Sequence, residues 1–123
     1  MVNNKRILVI DDDHGTTLAF KLGLENHGFI VDTYNDPVIA LRNFRPDFYD
    51  LLLIDVRMPS MNGFELCKEI GMVDKKQKIC FMTSFKAYYD SLVTNYPGIK
   101  QQCFIQKPIS IKGLVEKILL EIN

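Results

Sequence analysis

The chain has 123 residues, 47% of them hydrophobic and 24% charged, the proportions of one ordinary globular domain with a single core. Lys and Arg balance Asp and Glu at 15 each, so no basic field recommends nucleic acid and no acidic tail suggests a solvating region. No apolar run is long enough to span a membrane, and the opening "MVNNKRILVI" lacks the layout of a signal peptide.

In chain order, short apolar runs alternate with segments of helical period. The run "RILVI" (6–10) predicts a strand and ends in Asp11, Asp12 and Asp13. Residues 16–26 repeat Leu18/Leu22 and Phe20/Leu24 as a helix does, and Gly28 supplies a stop. "FIVDTY" (29–34) reads as a second strand. Asp36-Pro37 then supplies an N-cap and a first-turn proline for a helix to about residue 44. "LLLI" (51–54) predicts a third strand, closed by Asp55; Asn62-Gly63 opens a helix over 64–70. "KICFM" (78–82) is the fourth strand, followed by Thr83 and Ser84, and residues 85–95 form a helix that Pro97-Gly98 must break. "CFIQ" (103–106) is the fifth strand, ending in Lys107. The last helix is the most periodic, with Ile111, Leu114, Val115, Ile118, Leu119 and Ile122 along one stripe.

Five such strands alternating with five helices predict an α/β fold: a doubly wound parallel sheet covered on both faces. Residues 1–123 read as one domain, with no repeat, linker or output domain. Cys67, Cys80 and Cys103 are an odd number without a C-x-x-C pair. That argues against a disulfide frame and a zinc site, and predicts free buried thiols in a reducing, cytoplasmic setting.

In a parallel sheet all carboxyl ends share one edge, where ligands bind. The residues that follow the strands therefore converge: Asp11, Asp12, Asp13, Asp55, Thr83 and Lys107. Clustered carboxylates repel, by roughly 4 kcal/mol for two unit charges about 4 Å apart at an effective dielectric near 20. Either one takes a proton or a cation joins them, and an all-oxygen cluster suits Mg²⁺. A metal, a lysine and a carboxylate together suit phosphoryl transfer. Taken singly, each signal also has a plain structural reading: a helix cap, a solvated turn, a Lys-Pro bend.

As an ordered set, "ILVIDDD", "YDLLLIDVRMPSMNGFEL", "ICFMTS" and "CFIQKPIS" resemble the receiver domain of two-component response regulators along essentially the whole chain. The resemblance implies the flavodoxin-like (βα)5 fold with strand order 2-1-3-4-5. It implies that Asp55 takes a phosphoryl group from a phosphohistidine on a histidine kinase or phosphotransfer protein. Mg²⁺ would be held by Asp11, Asp12, Asp55 and the backbone carbonyl of Arg57. Thr83 and Lys107 would meet the phosphoryl group, Asp13 would be structural, and Phe104 would be the switch aromatic. Output would pass to a protein target through the fourth helix, fifth strand and fifth helix, without direct nucleic-acid or membrane binding and without turnover as an enzyme. Met58-Pro59 and Gly63 match the loop that aims the third helix, Gly63 by permitting positive φ, and the Lys107-Pro108 bond is expected to be cis. Tyr88 and Tyr89 on the fourth helix suit either the core or a partner.

The chain departs from the pattern in two places. The segment "NYPGIKQQCF" is long and lacks the usual Gly-Ala turn, and Arg57 and Phe85 are large residues bordering the approach of a hydrolytic water. Two rival functions follow from the same residues. An aspartate-nucleophile phosphohydrolase of the haloacid dehalogenase type would need an acid where Arg57 stands. A receiver-like interaction module that is never phosphorylated would not need the full set of five polar residues.

Overall fold

The strands are short because each apolar run is cut by a polar residue at its carboxyl end. In the computed structural model, which describes residues 3–95 and 103–123 (Leu92 by its backbone alone), they are β1 (Arg6–Ile10), β2 (Ile30–Tyr34), β3 (Leu51–Asp55), β4 (Ile79–Thr83) and β5 (Phe104–Gln106). All pair in parallel, in the order β2-β1-β3-β4-β5. The crossovers are α1 (His14–Glu25), α2 (Pro37–Asn43), α3 (Gly63–Val73) and α4 (Lys86–Asn95), and α5 (Ile111–Ile122) follows β5. This is the doubly wound α/β architecture expected from the alternation. The Pro97-Gly98 break and most of the long segment before the fifth strand lie outside the described residues.

Side chains alternate across the sheet and build two cores. Ile7, Val9, Leu51, Leu53, Cys80, Met82 and Ile105 face one side with Leu24, Leu114 and Ile118 from α1 and α5. Leu8, Ile10, Leu52, Ile54 and Phe81 face the other with Phe64, Ile70 and Tyr89 from α3 and α4. Of the two apolar pairs in α1, only Phe20 and Leu24 are buried; Leu18 and Leu22 are exposed. On α5, Leu114 and Ile118 are fully enclosed, while Leu119 lies at the boundary with solvent.

Helix starts follow the capping chemistry of the sequence. Asp36 accepts from Val38 and Ile39 with Pro37 in the first turn, and Ser110 caps α5 through Gly113. Asn62 and Glu65 form a reciprocal capping box at α3. Asp13, the third acid after β1, is the N-cap of α1. Gly28, at φ 90°, closes the turn after α1, and the Lys107–Pro108 peptide is cis.

Two expectations are corrected. Gly63 does not use positive φ; in its loop that backbone region belongs to Ser60, at φ 72°. Gly63 is required for close approach instead, because a Cβ there would lie 2.5 Å from the Asp55 carbonyl oxygen. The cysteines also differ from the all-thiol reading: Cys80 and Cys103 form a disulfide, and only Cys67 is free among the described residues. The two occupy neighbouring places, Cys80 on β4 and Cys103 just before β5, one position before the Phe81–Phe104 register pair. Their proximity therefore comes from strand pairing, which sequence separation does not display.

Candidate functional site

Each polar residue predicted at the carboxyl edge is found there, and Asp11, Asp55 and Lys107 are in direct contact. Asp11 follows β1, Asp55 ends β3, Thr83 ends β4 and Lys107 follows β5. Asp11, Asp55 and Thr83 are buried, which for carboxylates demands compensation. Lys107 supplies it: Nζ lies 2.7 Å from Asp11 Oδ2 and 3.1 Å from Asp55 Oδ1. Asp12 is exposed at the rim, yet one carboxylate oxygen each from Asp11, Asp12 and Asp55 lies within 4.8 Å of the others.

The edge is held in shape by backbone bonds that a strand end makes available. Val56 N–H donates to the Met82 carbonyl (2.9 Å), and Gly63 N–H donates to the Val56 carbonyl (2.8 Å), turning the chain after Asp55 back toward α3. Lys107 N–H donates to the Thr83 carbonyl (2.9 Å). Asp13 N–H donates to Asp11 Oδ1 (3.0 Å). Asn35, after β2, donates to the Asp11 carbonyl (2.8 Å) and the Thr17 hydroxyl (2.9 Å), bracing the acidic turn. Sequence reading missed Asn35; the only signal was its place after the strand next to β1.

Charge is out of balance in this pocket. Burial, and then the neighbouring Asp11 carboxylate, push Asp55 up to about 6, against the opposing pull of Lys107. Burial disfavours the Lys107 ammonium, but its bonds to Asp11 and the charges of both acids outweigh that and raise its pKa. Asp13 is governed mainly by its own turn: the Thr16 hydroxyl and then the Gly15 N–H hold its carboxyl below the usual value, with a smaller pull from Lys107. Three carboxylates against one ammonium leave excess negative charge and oxygen donors, which fits a small hard cation of the Mg²⁺ type.

The remaining predicted residues surround this centre. Thr83 Oγ1 accepts from Phe85 N–H (3.0 Å). Phe104 shares a register pair with Phe81, two positions before Thr83, and its ring lies tilted by 34° against Tyr89 with centroids 4.3 Å apart. Tyr89 is core, whereas Tyr88 is half-buried. The Arg57 side chain is exposed and stands over the Phe85 ring at 5.6 Å and the Tyr88 ring at 5.7 Å. Tyr88 had not been foreseen in that stack, although its spacing of three from Phe85 puts both on one helix face. An open cavity bordered by Gly15, Thr16, Ala19 and Phe20 of α1 and by Lys107 and Pro108 adjoins the pocket.

Residues 7–119 match the family model described as the response regulator receiver domain. The response regulator receiver protein CpdR of Brucella abortus is 30% identical over 114 residues, 93% of each chain. The response regulator MprA of Mycobacterium leprae is 29% identical over 92% of this chain, which spans about half (49%) of that protein. Among solved structures, the response regulator TrrA of Thermotoga maritima in complex with Mg²⁺-BeF superposes with a TM-score of 0.78 at 28% identity, over 94% of this chain and 97% of that one. With five parallel strands in the order 2-1-3-4-5 and an acidic pocket at their carboxyl edge, the chain belongs to the response regulator receiver domains of two-component phosphorelay.

Proposed function

We propose that residues 1–123 act as a receiver that takes a phosphoryl group from a histidine kinase or phosphotransfer protein onto Asp55, and switches a partner-binding face in response. The single observation that supports this best is the buried contact of Lys107 with both Asp11 and Asp55. It gathers, from β1, β3 and β5, a nucleophile, a counter-charge and a cation site.

In the transfer, an Asp55 carboxylate oxygen bonds to phosphorus as the phosphorus–nitrogen bond of the donor phosphohistidine breaks. The imidazole leaves with its electron pair. A pKa of about 6 leaves Asp55 mostly ionised at neutral pH while keeping it more nucleophilic than an ordinary carboxylate. Asp11, Asp12, Asp55 and the Arg57 carbonyl would hold Mg²⁺, whose chemistry is to neutralise charge on the transferred group. Lys107 is already in the pocket and exchanges a carboxylate partner for a phosphoryl oxygen. The Thr83 hydroxyl accepts from Phe85, and its own proton is available to that oxygen.

Phosphorylation adds up to two negative charges. Moving a two-state population from 1:99 to 99:1 takes about 5.5 kcal/mol, and charge-assisted bonds at about 1.5–3 kcal/mol each from Thr83 and Lys107 supply that order of energy. As Thr83 moves toward Asp55, Phe104 turns into the space left beside it, altering the face made by α4, β5 and α5. A protein target reads that face. The balanced charge of the chain gives no footprint for direct nucleic-acid binding, no helix among the described residues is long and apolar enough to cross a membrane, and a cytoplasmic site of action follows from the partners.

The test is to incubate the protein with Mg²⁺ and a small acyl phosphate and weigh it intact. A phosphoryl adduct that is absent without the cation and lost in Asp55→Asn is the expected result. Failure of every donor to form an adduct would leave a phosphorylation-independent interaction module. Sustained turnover of a soluble phosphate ester would mark a hydrolase.

A further inference from the structure

The disulfide between Cys80 and Cys103 lies at the opposite end of β4 and β5 from the acidic pocket, on the α1/α5 side of the sheet. We propose that this pair is a redox-modifiable site, open as a dithiol and closed as a disulfide, that clamps β5 to β4 and so limits the movement of the strand carrying Phe104 and Lys107.

The geometry admits closure without distortion of the sheet. The two Cα atoms are 4.6 Å apart, inside the range that disulfides span, and the Phe81 N–H to Cys103 carbonyl bond of 3.1 Å fixes the same register. Opening is equally compatible with the fold. Both cysteines belong to the same apolar core as Met82, Ile105, Leu114 and Ile118, where a reduced cysteine packs as a small apolar side chain. Pairing is also exclusive. Cys67 belongs to the other core, across the sheet, and burial pushes its thiol up to about 11, so it offers little thiolate for exchange.

What the bond constrains follows from where it lies. β5 has three residues and stands at the sheet edge, paired with β4 alone among the strands described. Its first residue, Phe104, is covalently next to Cys103, and Lys107 follows three residues later. Cys80 is anchored deep in β4, whose last residue is Thr83. The bond thus closes a ring that contains the whole of α4 and joins the two strands whose ends carry Thr83 and Lys107. That a clamp here restrains the output face rests on the reading of Phe104 given above; that it restrains β5 does not.

The chemistry balances with a low-molecular-weight disulfide as oxidant. The Cys103 sulfur, slightly exposed at 7% where Cys80 is fully enclosed, attacks oxidised glutathione and releases one glutathione thiol. The Cys80 sulfur then displaces the second. Two electrons and two protons pass from the cysteine pair to two glutathione thiols, and reduction runs the same steps backwards.

The experiment uses the whole chain, equilibrated in glutathione buffers from fully reduced to fully oxidised, quenched with acid, then alkylated with N-ethylmaleimide in denaturant so that every free thiol is counted, and weighed intact. Amide exchange of β5 is then followed in the two limiting forms, without phosphodonor. The expected oxidised form takes one alkyl group, on Cys67, and its β5 amides exchange at least about tenfold more slowly than in the reduced form, a change of about 1.4 kcal/mol. Cys67→Ser should keep both behaviours, and Cys80→Ala should abolish the redox difference. The wild-type comparison stands alone if Cys80→Ala fails to fold. Three alkyl groups in fully oxidised buffer, a lasting glutathione adduct, or equal β5 exchange in the two forms would overturn the proposal. So would retention of Zn²⁺ by the reduced thiols with Glu121, which lies within reach of both sulfurs. Adduct formation on Asp55 is scored separately, so loss of the receiver reading and loss of the clamp cannot be confused.

Discussion

The helical layers on the two faces of the sheet are packed with different materials. The α1/α5 side is mostly aliphatic, and it is tight: a Cβ on Gly23 of α1 would come within 2.5 Å of Ile111 Cδ1 of α5. The α3/α4 side has an aliphatic base too, but it carries a connected cluster of aromatic rings. Phe64 meets Phe81 edge-on at 4.6 Å and Tyr89 at 5.5 Å, and Tyr89 in turn lies tilted against Phe104. Its hydroxyl is buried and has no hydrogen-bond partner among the described residues. An interlocked aliphatic layer resists rearrangement because any shift opens voids. In a cluster of edge-on and tilted rings around a buried hydroxyl without a partner among the described residues, a rearrangement that pairs the hydroxyl would be favoured. The first layer backs the strands that end at the acidic edge, and under the function proposed above the second is where a change at Thr83 would be passed outward.

The comparison breaks most visibly at Leu114, fully buried on α5. Leu114→Ala should cost about 2–5 kcal/mol in urea unfolding while leaving the yield of phosphoryl adduct on the folded protein unchanged. A variant that folds normally but loses adduct would show that the aliphatic layer takes part in the chemistry and does not merely support it.

Next in size is the pH dependence of Asp55. Its pKa in the fold, about 6, lies above the ordinary 3.8, so the folded state binds this proton more tightly than the unfolded state does. The stability it contributes is complete below about pH 4 and is lost as pH rises through 6, on the order of 3 kcal/mol in all. In cation-free buffer, wild type should therefore lose stability relative to Asp55→Asn between pH 4 and 7, and added Mg²⁺ should restore it to wild type alone. A difference between the two proteins that is flat with pH would refute the charge imbalance.

Tyr89→Phe sharpens the comparison from the aromatic side. Removing a buried hydroxyl without a partner should leave stability unchanged or raise it by about 1 kcal/mol, with the ring cluster intact. The measurement that matters is amide exchange over α4 and β5 before and after phosphorylation, in which the variant should shift the balance between the two arrangements. An exchange pattern identical to wild type in both states would mean that Tyr89 is filler.

How much of this could be read from the chain depends on whether the cause is local. Asp36-Pro37 and Asn62 mark their helices because capping is settled within four residues, and β3 shows itself as an apolar run closed by Asp55. The convergence of Asp11, Asp55, Thr83 and Lys107 was legible because a parallel sheet puts all carboxyl ends on one edge. Non-local causes stayed hidden. In α1 both Leu18/Leu22 and Phe20/Leu24 satisfy the helical period, and only the position of the sheet selects the second pair. Gly63 was assigned the wrong need, since nothing nearby in sequence shows that the Asp55 carbonyl will press against its Cα. Cys80 and Cys103 are 23 residues apart, and only the β4–β5 register makes them neighbours.

The smallest expected effect on stability, and the most informative about the aromatic side, belongs to Arg57. Its guanidinium is exposed over Phe85 and Tyr88, a placement worth about 0.5–1 kcal/mol per ring at such sites. We propose that it borders the path of a hydrolytic water to Asp55. Arg57→Ala should move the unfolding midpoint little, yet shorten the lifetime of the Asp55 phosphoryl group by about two- to fivefold, the factor that a barrier lowered by about 0.5–1 kcal/mol produces. Phe85→Ala should shorten it as well, and the double variant should add little, because either change alone opens the same path to water. Independent, multiplying effects would instead assign the two residues separate roles, with Arg57 acting on the leaving phosphoryl charge and not as half of a cover.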